Sequence, residues 1–197
     1  MSSQDQIHNI DAVILVGGKN RRFQGKHKSL AKLNGKSILN HQLTVLGSVF
    51  QNIILVANKH AEFSNYPINK IVSDIIPGKG PLSGIHAGIQ NSRKEYIFIF
   101  AGDMPFLDQN LIQKQIQLIE TKPAEAIIPT THAGIEPLHA IYNTRIKDKL
   151  EILLNKYDIL SVRELLNIIK TYYWTLPYQN AFININTQEE LKRYEKI

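Results

Sequence analysis

Between Val16 and Lys28 five cations, Lys19, Arg21, Arg22, Lys26 and Lys28, follow two consecutive glycines, Gly17 and Gly18. Glycine removes the side chain where a backbone must approach a phosphate, and the cations can then face the same anion. The run directly follows an apolar stretch, Ala12–Val16 (AVILV), which reads as a buried strand. It is not a dinucleotide fingerprint, because Gly-x-Gly-x-x-Gly cannot be fitted to it. Gly35-Lys36-Ser37 ends like a P-loop, but Leu30 stands where the required first glycine belongs. Phosphate binding is the functional reading, and a basic surface loop with a tight Gly-Gly turn is its alternative.

A second candidate is Ala101-Gly102-Asp103-Met104-Pro105, directly after the apolar run Tyr96–Phe100 (YIFIF). A carboxylate at the end of a central strand can hold Mg²⁺ beside a triphosphate, since Mg²⁺ takes one or two carboxylates plus phosphate oxygens. Asp103 could instead cap the turn. Asp74, before Pro77-Gly78-Lys79-Gly80-Pro81, is a second candidate ligand or nucleotide contact, and Asp108 reads as a helix cap. The seven histidines show no metal-ligand spacing, and no nucleophile elbow is present. With no cysteine there is no thiol nucleophile, zinc knuckle or disulfide framework.

Net charge is +6 over 197 residues, and its placement is uneven. Ala12 to Ala61 contains eight Lys or Arg and no Asp or Glu, so it carries +8 and the remainder −2. Such a stretch fits nucleotide phosphates, nucleic acid or acidic lipid, or is a solvated basic face. Only Phe23 and Phe50 offer base-stacking positions there. No apolar run approaches the roughly 18 residues of a membrane helix, and polar Met1–Asp11 lacks the core of a signal peptide. A cytoplasmic chain without a membrane partner is expected.

These candidate groups need elements to position them. Asn52–Ala57 and Lys70–Val72 join the two runs above as predicted strands, with Ile38–Val49, Leu82–Asn91 and Asp108–Glu120 as helices between them. The alternation predicts βαβ units and a mostly parallel sheet covered on both faces. Further strands are predicted at Ala126–Pro129, Pro137–Tyr142 and Tyr172–Leu176, where Trp174 reads as core packing. Helices are predicted at Thr144–Leu154, Ser161–Ile169 and Thr187–Tyr194, the last opened by a Thr187/Glu190 capping box. In such a sheet, ligands sit beyond the carboxyl ends of the strands, so the loops after Val16, Ala57, Ser73 and Phe100 matter most.

Leu15-Val16-Gly17-Gly18-x-x-x-Arg22-Phe23-x-Gly25-x-x-Lys28 resembles the opening signature of the molybdenum cofactor nucleotidyltransferases. Gly35-Lys36-Ser37-Ile38-Leu39, Gly80-Pro81-Leu82-Ser83-Gly84-Ile85 and Gly102-Asp103-Met104-Pro105 are similar to three more of their motifs, in order. So are Glu136-Pro137-Leu138-x-Ala140-x-Tyr142 and Phe182-Ile183-Asn184-Ile185-Asn186-Thr187. The guanylyltransferase branch fits best. The resemblance implies a single-domain, Rossmann-like three-layer α/β nucleotidyltransferase fold spanning residues 1–197, with 1–10 an N-terminal extension.

It also implies GMP transfer from GTP to the phosphate of molybdopterin, with Mg²⁺ as cofactor, no nucleic acid, and molybdoenzymes or their chaperones as further partners. Arg22, Lys28 and Asp103 would be catalytic. Leu15, Val16, Gly17, Gly18, Lys28, Asn58, Asp74 and Asp103 would bind the nucleotide, Asp103 would hold the metal, and Asn184 and Asn186 would lie on the molybdopterin side. Val16, Gln24, His27 and Gln188 depart from the usual Ala, Gly, Asp and Pro. The alternatives are a cytidylyltransferase, a sugar-phosphate nucleotidyltransferase of the same fold, an inactive relative, and a non-catalytic basic nucleic-acid-binding module.

Overall fold

A computed structural model describes residues 9–17, 27–158 and 160–195. Its centre follows from runs with no polar face to give to water. Strand β1 (Ile10–Leu15) lies parallel between β4 (Ile53–Val56) and β6 (Tyr96–Ala101). Ile14 stands opposite Leu55 on one side and Phe100 on the other. Strand β5 (Lys70–Val72) pairs parallel with β4. Strands buried on both faces read as continuous apolar runs, which is why these were legible. Ile10 belongs to β1 and is buried, so the fold takes in the end of the stretch read as an extension.

The sheet continues through β9 (His139–Asn143), β7 (Ala126–Thr131) and β10 (Thr171–Thr175), with β8 (Gly134–Ile135) on β7. Its order is β10-β7-β9-β6-β1-β4-β5. Most pairings are parallel, but β9 runs antiparallel to both β6 and β7. Helices cover both faces. Helices α1 (Ile38–Leu46) and α3 (Gln109–Thr121) pack Leu39, Leu43, Ile112 and Ile116 against Ile14, Phe98 and Phe100. Helices α2 (Pro81–Asn91), α4 (Lys147–Lys156) and α5 (Val162–Ile168) cover Val13, Ile97 and Ile99 on the other face. Strand alternation therefore divides the core into two layers.

Most predicted elements hold, with corrections. Thr144–Leu154 is not one helix: Thr144–Ile146 is a 3₁₀ turn and α4 starts at Lys147. The Asn143 side chain accepts from Arg145 N at 3.0 Å, which tightens that first turn. The strand expected from Pro137 starts at His139, because Pro137 has no N–H to give a ladder. A hairpin not foreseen joins β2 (Lys32–Leu33) to β3 (Lys36–Ser37). Its turn is Asn34 (φ 50°) and Gly35 (φ 79°), the Asn-Gly pair that suits two left-handed residues. Helix α6 (Gln188–Tyr194) carries the expected Thr187/Glu190 capping box, and Asp108 caps α3 through Leu111 N. Trp174 is partly buried against Leu111, Ala181 and Phe182. Among the described residues no helix is long and apolar enough to cross a membrane.

His139 is fully buried, edge-on to Phe98, Phe100 and Phe182 at 5.1–5.3 Å between ring centres. Burial pushes its pKa down from 6.5 to about 4. Between those values the unfolded chain binds the proton and the folded chain does not, so stability falls as pH is lowered. The loss is about 3 kcal/mol across that window. Urea unfolding at pH 7 and pH 4.5 should show it, and His139→Phe should flatten the difference by most of that amount.

Candidate active site

Because β1, β4, β5 and β6 are parallel, their carboxyl ends open on one edge of the sheet. A cleft of about 650 Å³ lies there. Leu15, Val16 and Gly17 line it from β1, Asn58 from beyond β4, Asp74 from beyond β5, and Asp103 from beyond β6. Lys28 completes this set. The volume falls within the usual 300–1,000 Å³ of small-ligand sites.

Three elements hold the turn that carries Asp103. Gly102 N donates to Leu15 O at 2.9 Å, and Ile185 N donates to Asp103 O at 2.9 Å. From α1, the buried Gln42 amide donates to Ala101 O at 2.7 Å and Met104 O at 3.1 Å. Gly102 sits so close to β1 that an added Cβ would meet Val16 Cγ1 at 2.6 Å and Leu15 O at 2.9 Å. A backbone oxygen cannot swing aside as a side chain can. Gly102→Ala should therefore cost about 1–3 kcal/mol by overpacking, and turnover should fall because Asp103 shifts with the turn. Thermal unfolding and product formation measured on one preparation check both halves.

Lys28 opens a 3₁₀ turn, Lys28–Leu30. The residue before it, His27, is buried, and its Nδ1–H donates to Val16 O at 3.0 Å. His27 therefore ties the end of the basic loop back to β1, a role its position in a run of cations did not suggest. The Lys28 ammonium reaches Asp103 Oδ2 at 3.2 Å and Asn186 Oδ1 at 2.8 Å. Both members of the Lys28–Asp103 pair are about three-quarters covered, at 25% and 21% side-chain exposure. Water screens this pair less than a surface one.

On the other wall, Asn58 and Asp74 bond reciprocally: Asn58 Nδ2 donates to Asp74 Oδ2, and Asp74 N to Asn58 Oδ1, each at 3.4 Å. Burial raises the Asp74 carboxyl above its usual range, while the Asn58 amide opposes that shift.

Thus Leu15, Val16, Gly17, Lys28, Asn58, Asp74 and Asp103 share one cleft, and Asn186 touches Lys28 directly. Asn184 turns elsewhere: its amide donates to Phe182 O at 3.2 Å. Gly18 and Arg22 lie outside the described residues. Sequence reasoning did not single out Ser29, Gly80 or Leu138 as cleft residues, nor Gln42 as support for the Asp103 turn. The Gly-Pro-Leu motif after the Pro/Gly loop was the available signal for Gly80. A polar residue on a helix, such as Gln42, gives none.

Among the described residues no group of three or more His, Cys, Asp or Glu could hold a metal. A cleft with one or two carboxylates, Asp103 and Asp74, suits a hard cation whose remaining ligands are phosphate oxygens and water. The donor set therefore fits a divalent ion that arrives with a nucleotide.

Residues 12–170 match the MobA-like NTP transferase domain. The chain belongs to that family. As a MobA-like NTP transferase it is a nucleotidyltransferase, and membership of the family points to use of a divalent metal. It is 34% identical to the probable molybdenum cofactor guanylyltransferase of Natranaerobius thermophilus, covering 95% of this chain and 96% of that one. It is 32% identical to the molybdenum cofactor guanylyltransferase of Desulfosudis oleivorans, covering 94% of each. Among solved structures, molybdopterin-guanine dinucleotide biosynthesis protein A from Archaeoglobus fulgidus superposes with a TM-score of 0.79 at 27% identity, covering 94% of this chain and 97% of that one. The three-layer nucleotidyltransferase architecture is shared with that structure.

Proposed function

We propose that this transferase moves GMP from GTP onto the phosphate of molybdopterin, releasing pyrophosphate and forming the guanine dinucleotide form of the molybdenum cofactor. The observation that carries the reading is the meeting of Lys28 and Asp103, 3.2 Å apart, in a cleft at the carboxyl ends of parallel strands. The names of the relatives support guanine and molybdopterin over cytosine and sugar phosphates.

The acceptor is a phosphate and is ionised near neutral pH, so it needs no strong general base. Catalysis then rests on positioning and charge stabilisation. An acceptor oxygen attacks the α-phosphorus in line, and the bond to the β-phosphate oxygen breaks as pyrophosphate leaves. Asp103 would hold Mg²⁺, whose positive charge would offset the repulsion of the phosphates. Lys28 would leave Asp103 for the triphosphate, with Arg22 as a second cation. The Gly17 backbone, with Leu15 and Val16, would let phosphate or sugar approach the end of β1. Asn58 and Asp74 would contact the nucleoside from the opposite wall. Asn186, on Lys28, stands where the triphosphate and acceptor sides would meet, and Asn184 lies two residues back on the acceptor side. The finished cofactor would pass to molybdoenzymes or their chaperones in the cytoplasm.

Pyrophosphate release, measured with molybdopterin as acceptor and each of the four ribonucleoside triphosphates, tests the reading. Use of GTP alone is expected. Selective use of CTP, or turnover only with sugar phosphates, would contradict it.

A further inference from the structure

Lys79 is the one long side chain in Pro77-Gly78-Lys79-Gly80-Pro81, and the glycines on either side of it line the cleft. A cation at that place reads as a phosphate ligand. The structure turns it away. Its ammonium donates to Tyr157 O at 2.6 Å and reaches Asp158 Oδ1 at 3.3 Å, beyond the C-terminus of α4. Only 15% of the Lys79 side chain is exposed, whereas Asp158 is fully exposed, so the carbonyl is the stronger anchor. The carbonyl end of a helix carries partial negative charge and favours a cation.

The anchor matters because of what flanks it. Gly78 (φ 86°) and Gly80 (φ 60°) both adopt left-handed backbone, and an added Cβ at either would meet nothing within 4 Å. Their freedom makes the loop costly to order. Lys79 is pinned on two sides, by Nζ to Tyr157 and by its own N–H donating to Ser83 Oγ at 3.1 Å. Gly80 is also the N-cap of α2, and Pro81 and Gly84 from that helix line the same cleft.

We propose that Lys79 is a positioning residue for the nucleotide: its bond to the α4 end fixes the Gly78–Gly80 wall of the cleft before GTP arrives. The inference rests on the reading of this cleft as the GTP site. Without the anchor the wall must be ordered by the ligand, and that cost is subtracted from affinity. The ammonium points away from the cleft, so the effect does not depend on the number of phosphates.

The test is calorimetric binding of GMP, GDP and GTP, in the presence of Mg²⁺, to the wild-type chain and to Lys79→Met and Lys79→Arg. Lys79→Met should weaken all three by a similar factor of about 10. Lys79→Arg, which can still donate to the carbonyl, should stay within about 3-fold of wild type. The KM for the molybdopterin acceptor should not change. Melting temperature should move by less than about 4 °C, since one hydrogen bond to a carbonyl and a pair with the fully exposed Asp158 contribute little; Lys79→Leu replaces Lys79→Met if the latter does not fold. Wild-type affinity in Lys79→Met overturns the proposal, as does a loss that grows from GMP to GTP, which would make Lys79 a phosphate ligand. Failure of the wild-type chain to bind GTP would overturn the cleft assignment instead.

Discussion

Lys28→Ala should lower turnover by about 10²–10³-fold, the usual effect of removing one preorganised charge-stabilising group. The Lys28 ammonium is held between Asp103 and Asn186, at 3.2 Å and 2.8 Å, so it is already placed where a triphosphate would enter. A preplaced cation spends little energy on reorganisation as charge develops on the α-phosphate and the leaving group. The fold should survive, because the carboxylate left behind is still about one-fifth exposed and water can reach it. A single-turnover measurement with GTP separates this from weaker binding: the chemical step itself should slow. Near-normal turnover would remove Lys28 from the reaction.

Asp103→Asn should lower turnover by a comparable factor, about 10²–10³-fold, while keeping the shape of the turn. The amide oxygen can still accept from Lys28, so the Lys28–Asn186 contact and the backbone bonds to Leu15 and Ile185 should persist. What is lost is the negative charge that attracts a divalent cation. Raising Mg²⁺ should recover only part of the rate, and the concentration giving half-maximal rate should rise. Unchanged metal dependence would argue against Asp103 as the metal carboxylate. Lys28 and Asp103 are in contact, so the double variant should be less damaged than the product of the two single effects.

The parts of this fold visible in sequence are those where burial on both faces forces an unbroken apolar run. β1, β4 and β6 are of that kind. The direction of β9 was not visible, because its buried HAIYN run reads the same whether its neighbours are parallel or antiparallel. Asp103 and the cations of the first loop could be named because the loop and the Gly-Asp-Met-Pro turn each follow such a strand, whereas the roles of Leu15 and of Lys28 in particular came from the resemblance. The link between Lys28 and Asn186 spans 158 positions of chain, and no local pattern encodes it. The turn of Lys79 toward the α4 end depends on helix packing in the same way. His27 stands among cations in the sequence; its buried tie to Val16 O shows that a residue inside such a loop can act on the backbone instead.

The most direct test is a crystal structure with GTP and Mg²⁺ bound. The expected result has the metal on the Asp103 carboxylate and on phosphate oxygens, with the Lys28 ammonium moved from Asp103 onto the same triphosphate. A nucleotide whose phosphates lie away from both residues, with the Lys28–Asp103 pair still closed, would contradict it.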